Sequence, residues 1–284
     1  PYAPIHYLLF ERGGFTFLVM TSGNRKNEPM VIRDGAARLG GVADFVLDHN
    51  REIVARNDDS VIRELAGEPV FLRRSRGYAP SPVALDVDVS GMIGCGAMLK
   101  NSIAVGRGKH AYLSPYIGDL ETEAAYESLV FTAHHLIRMF DIDLECAVCD
   151  MHPDYLSTRF AETLGVKVVP IQHHAAHAWS CMAENRIHEA VCVVFDGVGY
   201  GEDGKGWGGE ILLVREGVVE RVSHLSYMPM PGGDVCVEYP LRLAAAILYG
   251  RGIVLPEQED AVSYTHLRAH ETSLHLVCRL LLEK

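Results

Sequence analysis

The string QHHAAHAW places His173 and His177 four residues apart. On a helix that spacing puts both imidazoles on one face, within reach of a single cation. It also describes two partly exposed histidines that bind nothing, so a third ligand has to decide. Asp196 offers one, because it ends the apolar run VCVVFD and is followed by Gly197, Gly199 and Gly201. A carboxylate at the end of a buried strand, beside backbone that a ligand can approach closely, combines an oxygen ligand with a phosphate cradle. The competing reading is a glycine-rich hairpin in which Asp196 makes an Asx-turn. His174 faces away from the pair and reads as a hydrogen-bonding neighbour. Two imidazoles and a carboxylate suit Zn²⁺ and Fe²⁺ almost equally.

Weaker signals surround this one. In GCGAMLKN, Gly94 and Gly96 free the backbone amides, and Lys100 with Asn101 could reach phosphate oxygens, although the spacing is not that of a Walker loop. The polar loop TSGN could hold phosphate or ribose through Ser22 and Asn24, while Ser60, Arg73 and Arg74 could neutralise a triphosphate. In CDMHPDYLST, Asp150, His152 and Tyr155 sit at a strand-to-helix junction, either facing a substrate or beside simple capping by Asp154 or Ser157. Cys146 and Cys149 form a CxxC, but no second CxxC exists, and on a buried strand the two thiols do not converge. Zinc and redox roles are therefore excluded for that pair.

The elements that must position these residues follow from hydrophobic pattern and turn signals. Residues 15–20 and 43–47 read as strands and 33–39 as a helix. The segments GMIGCG, SIAVGRG and HAYLSPYIG predict an antiparallel meander, followed by a helix N-capped by Asp119. ECAVCD predicts a buried strand, DYLSTRFAETLG a helix ended by Gly165, and VKVVPI another strand. From Ala190 a second meander begins, so two strand–glycine-turn–strand units separated by α/β segments suggest a duplicated architecture. Pro80, Pro82 and ALDVDV mark a domain boundary near 83–90.

Composition bounds the function. The chain has 284 residues, 48% hydrophobic and 22% charged, and no apolar run approaches the roughly 20 residues of a spanning helix. A net charge of −11 disfavours attraction to nucleic acid or an anionic membrane. Seven cysteines, odd in number and mostly within apolar stretches, read as reduced and cytoplasmic. The N-terminus carries neither Met nor a signal sequence, which points to a start in mid-protein.

Read in order, LVMTSGNRKNEPM, RNDDSVIRELAGEPVFLRRSRGYAP, MIGCGAMLKNSIAVGRGKHAYLSPYIGDLET, CDMHPDYLSTRFAETLG, VPIQHHAAHAWSCMAE and VFDGVGYGEDGKGWGGEILLV resemble the HypF carbamoyltransferases of nickel-iron hydrogenase maturation. The resemblance implies an α/β chain. Residues 1–85 would be the C-terminal part of a YrdC-like domain, which makes carbamoyl-adenylate from carbamoyl phosphate and ATP with Mg²⁺. Residues 89–260 would be an actin/Hsp70/sugar-kinase-like (ASKHA) duplicated domain, truncated after its first lobe and the start of its second. That domain passes the carbamoyl group to the C-terminal cysteine of a HypE-type acceptor, as precursor of a cyanide ligand. Carried over by motif, Ser22, Asn24, Ser60 and Arg73 belong to the adenylate-forming site. His173, His177 and Asp196 hold a divalent metal, and the turns at 94–100 and 197–201 are two phosphate loops. The nucleophile comes from the partner, so no catalytic residue of this chain is assigned.

Two departures spare the ligand pair: Ala175 and Tyr116 stand where the family usually carries histidine. Because the resemblance covers only part of the family pattern, the chain is expected to be an internal stretch, inactive alone. Residues 261–284 continue no family string and are expected not to be native coding sequence, the alternative being a divergent amphipathic helix. The rivals are threonylcarbamoyl transfer to tRNA, small-molecule O-carbamoylation and a non-catalytic scaffold.

Overall fold

The structure is a computed structural model that describes residues 3–25, 28–48, 50–233, 236, 239–253 and 276–282. The first 81 residues form few regular elements: α1 (Pro4–Gly13), α2 (Gly35–Arg38) and the antiparallel hairpin β1 (Val61–Leu65) and β2 (Glu68–Arg73). Residues 15–20 and 43–47, whose apolar runs read as strands, form none, and Phe17, Val19 and Phe45 are 79%, 89% and 93% exposed. A strand needs a neighbour's backbone groups, and among the described residues the only pairing of either run is an isolated bridge between Ala43 and Gly40.

A six-stranded sheet follows in the order β3-β6-β5-β4-β7-β8. It comprises β3 (Pro82–Ala84), β4 (Met92–Gly94), β5 (Ala104–Arg107) and β6 (His110–Leu113), then β7 (Cys146–Asp150) and β8 (Lys167–Ile171). The expected meander is present as antiparallel β4, β5 and β6, while β4, β7 and β8 run parallel. Because β3 pairs with β6, the chain enters this sheet before Leu85, ahead of the boundary suggested by composition.

Two helices, α3 (Glu123–Met139) and α4 (Leu156–Thr163), cover the sheet. Leu129, Ala133 and Leu136 recur at helical spacing and pack with Phe160 of α4 and with Ile93, Val105 and Ala147, all at most 2% exposed. Burial of each large side chain here is worth about 1.5–3 kcal/mol. The cap of α3 is Thr122, whose side chain accepts from the Ala125 N–H, and not Asp119. Asp119 lies three residues too early and accepts from the Lys100 N–H at 2.7 Å.

Beyond β8 come α5 (His173–Asn185) and the second meander, β9 (Ala190–Tyr200), β10 (Gly206–Arg215) and β11 (Val218–Pro229). After α6 (Pro240–Gly250), β12 (Leu276–Leu282) pairs with β11 at the edge of this four-stranded sheet. Of the segment expected to be foreign, only these seven residues are described; the rest lies outside the described residues. Ala178 and Met182 of α5 pack on Val194, Leu212 and Val214. Helix α5 therefore leaves the six-stranded sheet at its N-terminus and lies on the four-stranded sheet along its length. Among the described residues no helix is long and apolar enough to cross a membrane.

Candidate metal centre and its cavity

Parallel strands direct their carboxyl ends to one edge of a sheet, where α/β proteins bind ligands. Here β4, β7 and β8 deliver Gly94, Asp150 and Ile171 to one cavity of about 590 Å³. Its wall also includes Gly96, Ala97, His173 and His177. Gln172 caps α5 by accepting from the Ala175 N–H at 2.9 Å, which starts the helix at His173. His177 then falls one turn later, on the same face.

The two Nε2 atoms lie 3.2 Å apart, and Asp196 Oδ2 of β9 is 3.0 Å from that of His173 and 4.0 Å from that of His177. One ligand atom from each of the three residues falls within 4.8 Å of the others. Tetrahedral ligands bonded at about 2.0–2.1 Å sit about 3.4 Å from one another, so these donors fit a small divalent cation. Three protein ligands leave a further position open, as catalytic sites require.

The electrostatics couple the three groups to one another. Hydrogen bonds to Asp150 and then Asp196 raise the His173 imidazole to about 9 against the opposing effect of burial. Burial opposes ionisation of Asp196 as well, yet bonds from His173 and the Gly197 N–H hold it at about 2. Burial, then the neighbouring His173, lowers His177, leaving a neutral ring able to ligate. His174 is fully buried, its Nε2 3.3 Å from the Gly208 carbonyl, and so packs as a neighbour and not a ligand.

The expected phosphate residues divide. Gly94 and Gly96 line the cavity, but Lys100 is exposed and lines neither cavity described here. Asn101 does not offer its amide to a ligand: it is 1% exposed and donates to the Cys95 and Ala97 carbonyls at 3.0 and 2.7 Å, pinning the glycine turn from below. The turn expected at 197–201 lies later, since β9 runs through Tyr200. A Cβ on Gly199 would come within 2.6 Å of the His174 ring, and one on Gly201 within 2.1 Å of Trp207. Both glycines let β9 and its turn approach neighbouring side chains, and only Gly197 faces open space. His152 stacks on Tyr155 with ring centroids 4.2 Å apart and meets Tyr200 edge-on, while neither His152 nor Tyr155 lines the cavity. Asp150 does, and its partner is His173, which strand alternation could not foretell.

A second cavity, of about 240 Å³, lies where the first 81 residues meet the following domain. Ser22, Asn24, Arg56, Asp58 and Arg73 line one side and 116–119 the other. Arg73 pairs with Asp58 at 2.9 Å and stacks 4.0 Å over the Tyr116 ring. Asn24 donates to the Arg25 and Glu28 carbonyls, ordering its own loop. Ser60 is not in the wall: its hydroxyl donates to the Arg76 carbonyl and accepts from the Ser75 N–H, both at 2.9 Å. Arg56 and Asp58 had no local motif to mark them, and charge beside an interdomain loop was the available signal; Tyr116 stood out only as a departure from the family pattern.

Three family models match the chain: Telomere recombination (Sua5/YciO/YrdC) over residues 1–75, HypF Kae1-like domain over 88–184, and Carbamoyltransferase, Kae1-like Domain, second subdomain, over 192–280. The chain is 40% identical over 260 residues to Carbamoyltransferase HypF of Rhizobium leguminosarum bv. viciae, covering 88% of this chain and 34% of that protein. It is 41% identical over 276 residues to Carbamoyltransferase HypF2 of Cupriavidus necator, covering 89% and 34%. A crystal structure of full-length HypF in the phosphate- and nucleotide-bound form superposes with a TM-score of 0.87 at 35% identity, covering 98% of this chain and 46% of that one. The chain thus spans about a third of the length of the curated relatives it matches.

Proposed function

The chain belongs to the HypF family of carbamoyltransferases, and from that premise we propose that it forms part of a machinery that carbamoylates a protein thiol. Carbamoyl phosphate, water and ATP, with Mg²⁺, give carbamoyl-adenylate at the interdomain cavity, and phosphate and pyrophosphate leave. The carbamoyl group then passes to the C-terminal cysteine of a HypE-type acceptor at the His173 cavity. The observation that carries this reading is the convergence of Asp196 on His173 and His177, two residues of the cavity wall that also includes Gly94 and Gly96.

Arg73, aligned by Asp58 and Tyr116, presents a fixed cation to the adenylate-forming site. Gly94 and Gly96 keep side chains away from a phosphate resting on their turn. His173, His177 and Asp196 would hold a divalent ion, Zn²⁺ or Fe²⁺, which when bound would supply Lewis-acid neutralisation of the adenylate phosphate. In the transfer step the acceptor sulfur attacks the carbamoyl carbon, the carbon–oxygen bond to phosphate breaks, and AMP leaves with the electron pair. The net charge of −11 favours a protein acceptor over tRNA.

The test is a chimera in which residues 1–250 replace the matching stretch of the Rhizobium relative, supplied with labelled carbamoyl phosphate, ATP and a HypE-type acceptor. ATP-dependent label on the acceptor's terminal cysteine is the expected result. No transfer, from a folded chimera whose parent is active, would overturn the reading.

A further inference from the structure

We propose that Asp150 is a positioning residue for the cation-binding imidazole of His173. This inference rests on the metal-site reading above and adds to it the group that orients its central ligand. Asp150 Oδ2 lies 2.5 Å from His173 Nδ1, and the carboxylate side chain is 5% exposed. It is not a fourth ligand: it faces Nδ1, while His177 and Asp196 gather around Nε2 on the opposite edge of the ring.

The carboxylate is itself fixed. Its Oδ1 accepts from the His152 N–H at 2.8 Å, and the Asp150 carbonyl accepts from Thr158 Oγ1 at 3.1 Å. The backbone is held in register against Ile171 of β8. One strand therefore sets both walls of the cavity, because Val148, two residues earlier in β7, accepts from the Cys95 N–H in the glycine turn. An imidazole donating Nδ1–H to a buried carboxylate is held in one tautomer and one ring orientation, with the Nε2 lone pair free for a cation.

Asp150→Asn separates this role from a structural one. The amide oxygen keeps the bond to the His152 N–H, whereas the amide nitrogen cannot accept from Nδ1–H. His173 is then driven to carry its proton on Nε2, where the cation should sit.

The experiment uses the 284-residue chain with Zn²⁺ alone by calorimetry, Co²⁺ absorption as a geometry readout, and ¹⁵N NMR of the histidine rings. Wild type should bind, with Nδ1 of His173 protonated and Nε2 ligated. Asp150→Asn should weaken Zn²⁺ binding about 10–100-fold and alter the Co²⁺ spectrum, while Asp154→Asn, in an exposed ion pair with Arg159, leaves both unchanged. Equal affinity and spectrum in Asp150→Asn would overturn the proposal. If that variant does not fold, the cation-loaded wild type decides, because Nδ1 bound to the metal overturns it equally. Failure of wild type to bind any cation would instead remove the metal-site reading, and the proposal with it.

Discussion

The two cavities are built in opposite ways. The His173 cavity is made from strand ends and a capped helix, and its polar side chains face one another: Asp150 to His173, His173 to Asp196 and His177. The interdomain cavity is made mostly from loops, and its polar groups spend much of their capacity on holding those loops, as Asn24 and Arg56 do with backbone carbonyls. A preorganised donor set costs little further ordering when a cation arrives, whereas a loop site keeps only what its own scaffolding leaves over. On the proposed reading, the contrast gives cation chemistry to the first and oriented guanidinium groups, Arg56 and Arg73, to the second.

The sharpest way to break that contrast is His173→Ala. Removal of a ligand should abolish measurable Zn²⁺ binding, a larger effect than the about 10–100-fold of an outer partner. Retained affinity in titration calorimetry would erase the difference between the cavities.

Next in size is a pH effect. The cation must displace the proton that Asp150 and Asp196 hold on His173 up to about pH 9. Zn²⁺ affinity should therefore rise about tenfold per pH unit between pH 7 and 9, with proton release visible in buffers of different ionisation enthalpy. In the cation-free chain the sign reverses. A histidine raised from 6.5 to about 9 by folding stabilises the native state fully below pH 6.5 and loses that contribution as pH rises through 9. Thermal melts of the cation-free protein should accordingly fall across this window. A flat melting profile with flat affinity would sink the assignment.

Smaller effects belong to the interdomain cavity. Arg73→Ala should weaken ATP binding about tenfold, the worth of one charge-assisted hydrogen bond, without touching Zn²⁺ affinity. Smallest is Ser60→Ala, which should cost about 1 kcal/mol of stability and leave ATP affinity unchanged, since the hydroxyl serves only Ser75 and Arg76. An ATP defect in Ser60→Ala would show that this loop is not spent on itself.

What was legible in the sequence follows the same division. The α/β architecture, both meanders and β7, α4 and β8 could be read because apolar periodicity and glycine turns are local. The spacing of His173 and His177, with Asp196 closing an apolar run, marked a cluster that the fold assembles, although Asp196 lies within β9 and not at its end. Asp150 was visible only as a polar residue at a junction, because its pairing depends on β7 and α5 meeting across 23 residues. Asn101 looked free to bind phosphate, yet burial turned its amide onto the Cys95 and Ala97 carbonyls. The apolar runs at 15–20 and 43–47 had strand composition, but composition cannot provide a pairing neighbour. Thr122 and Asp119 differ as caps by three positions, which only the helix start itself decides.

One consequence lies in the wall of the His173 cavity, where Cys149 is a free thiol beside Asp150. Burial and the adjacent carboxylate raise its pKa, and burial pushes Cys95, across the parallel pair from it, up to about 12. Thiols held as S–H are poor nucleophiles. On the proposed reading, the Cys149 thiol in this wall does not compete with an incoming sulfur for the activated acyl group, and the protein avoids becoming its own acceptor.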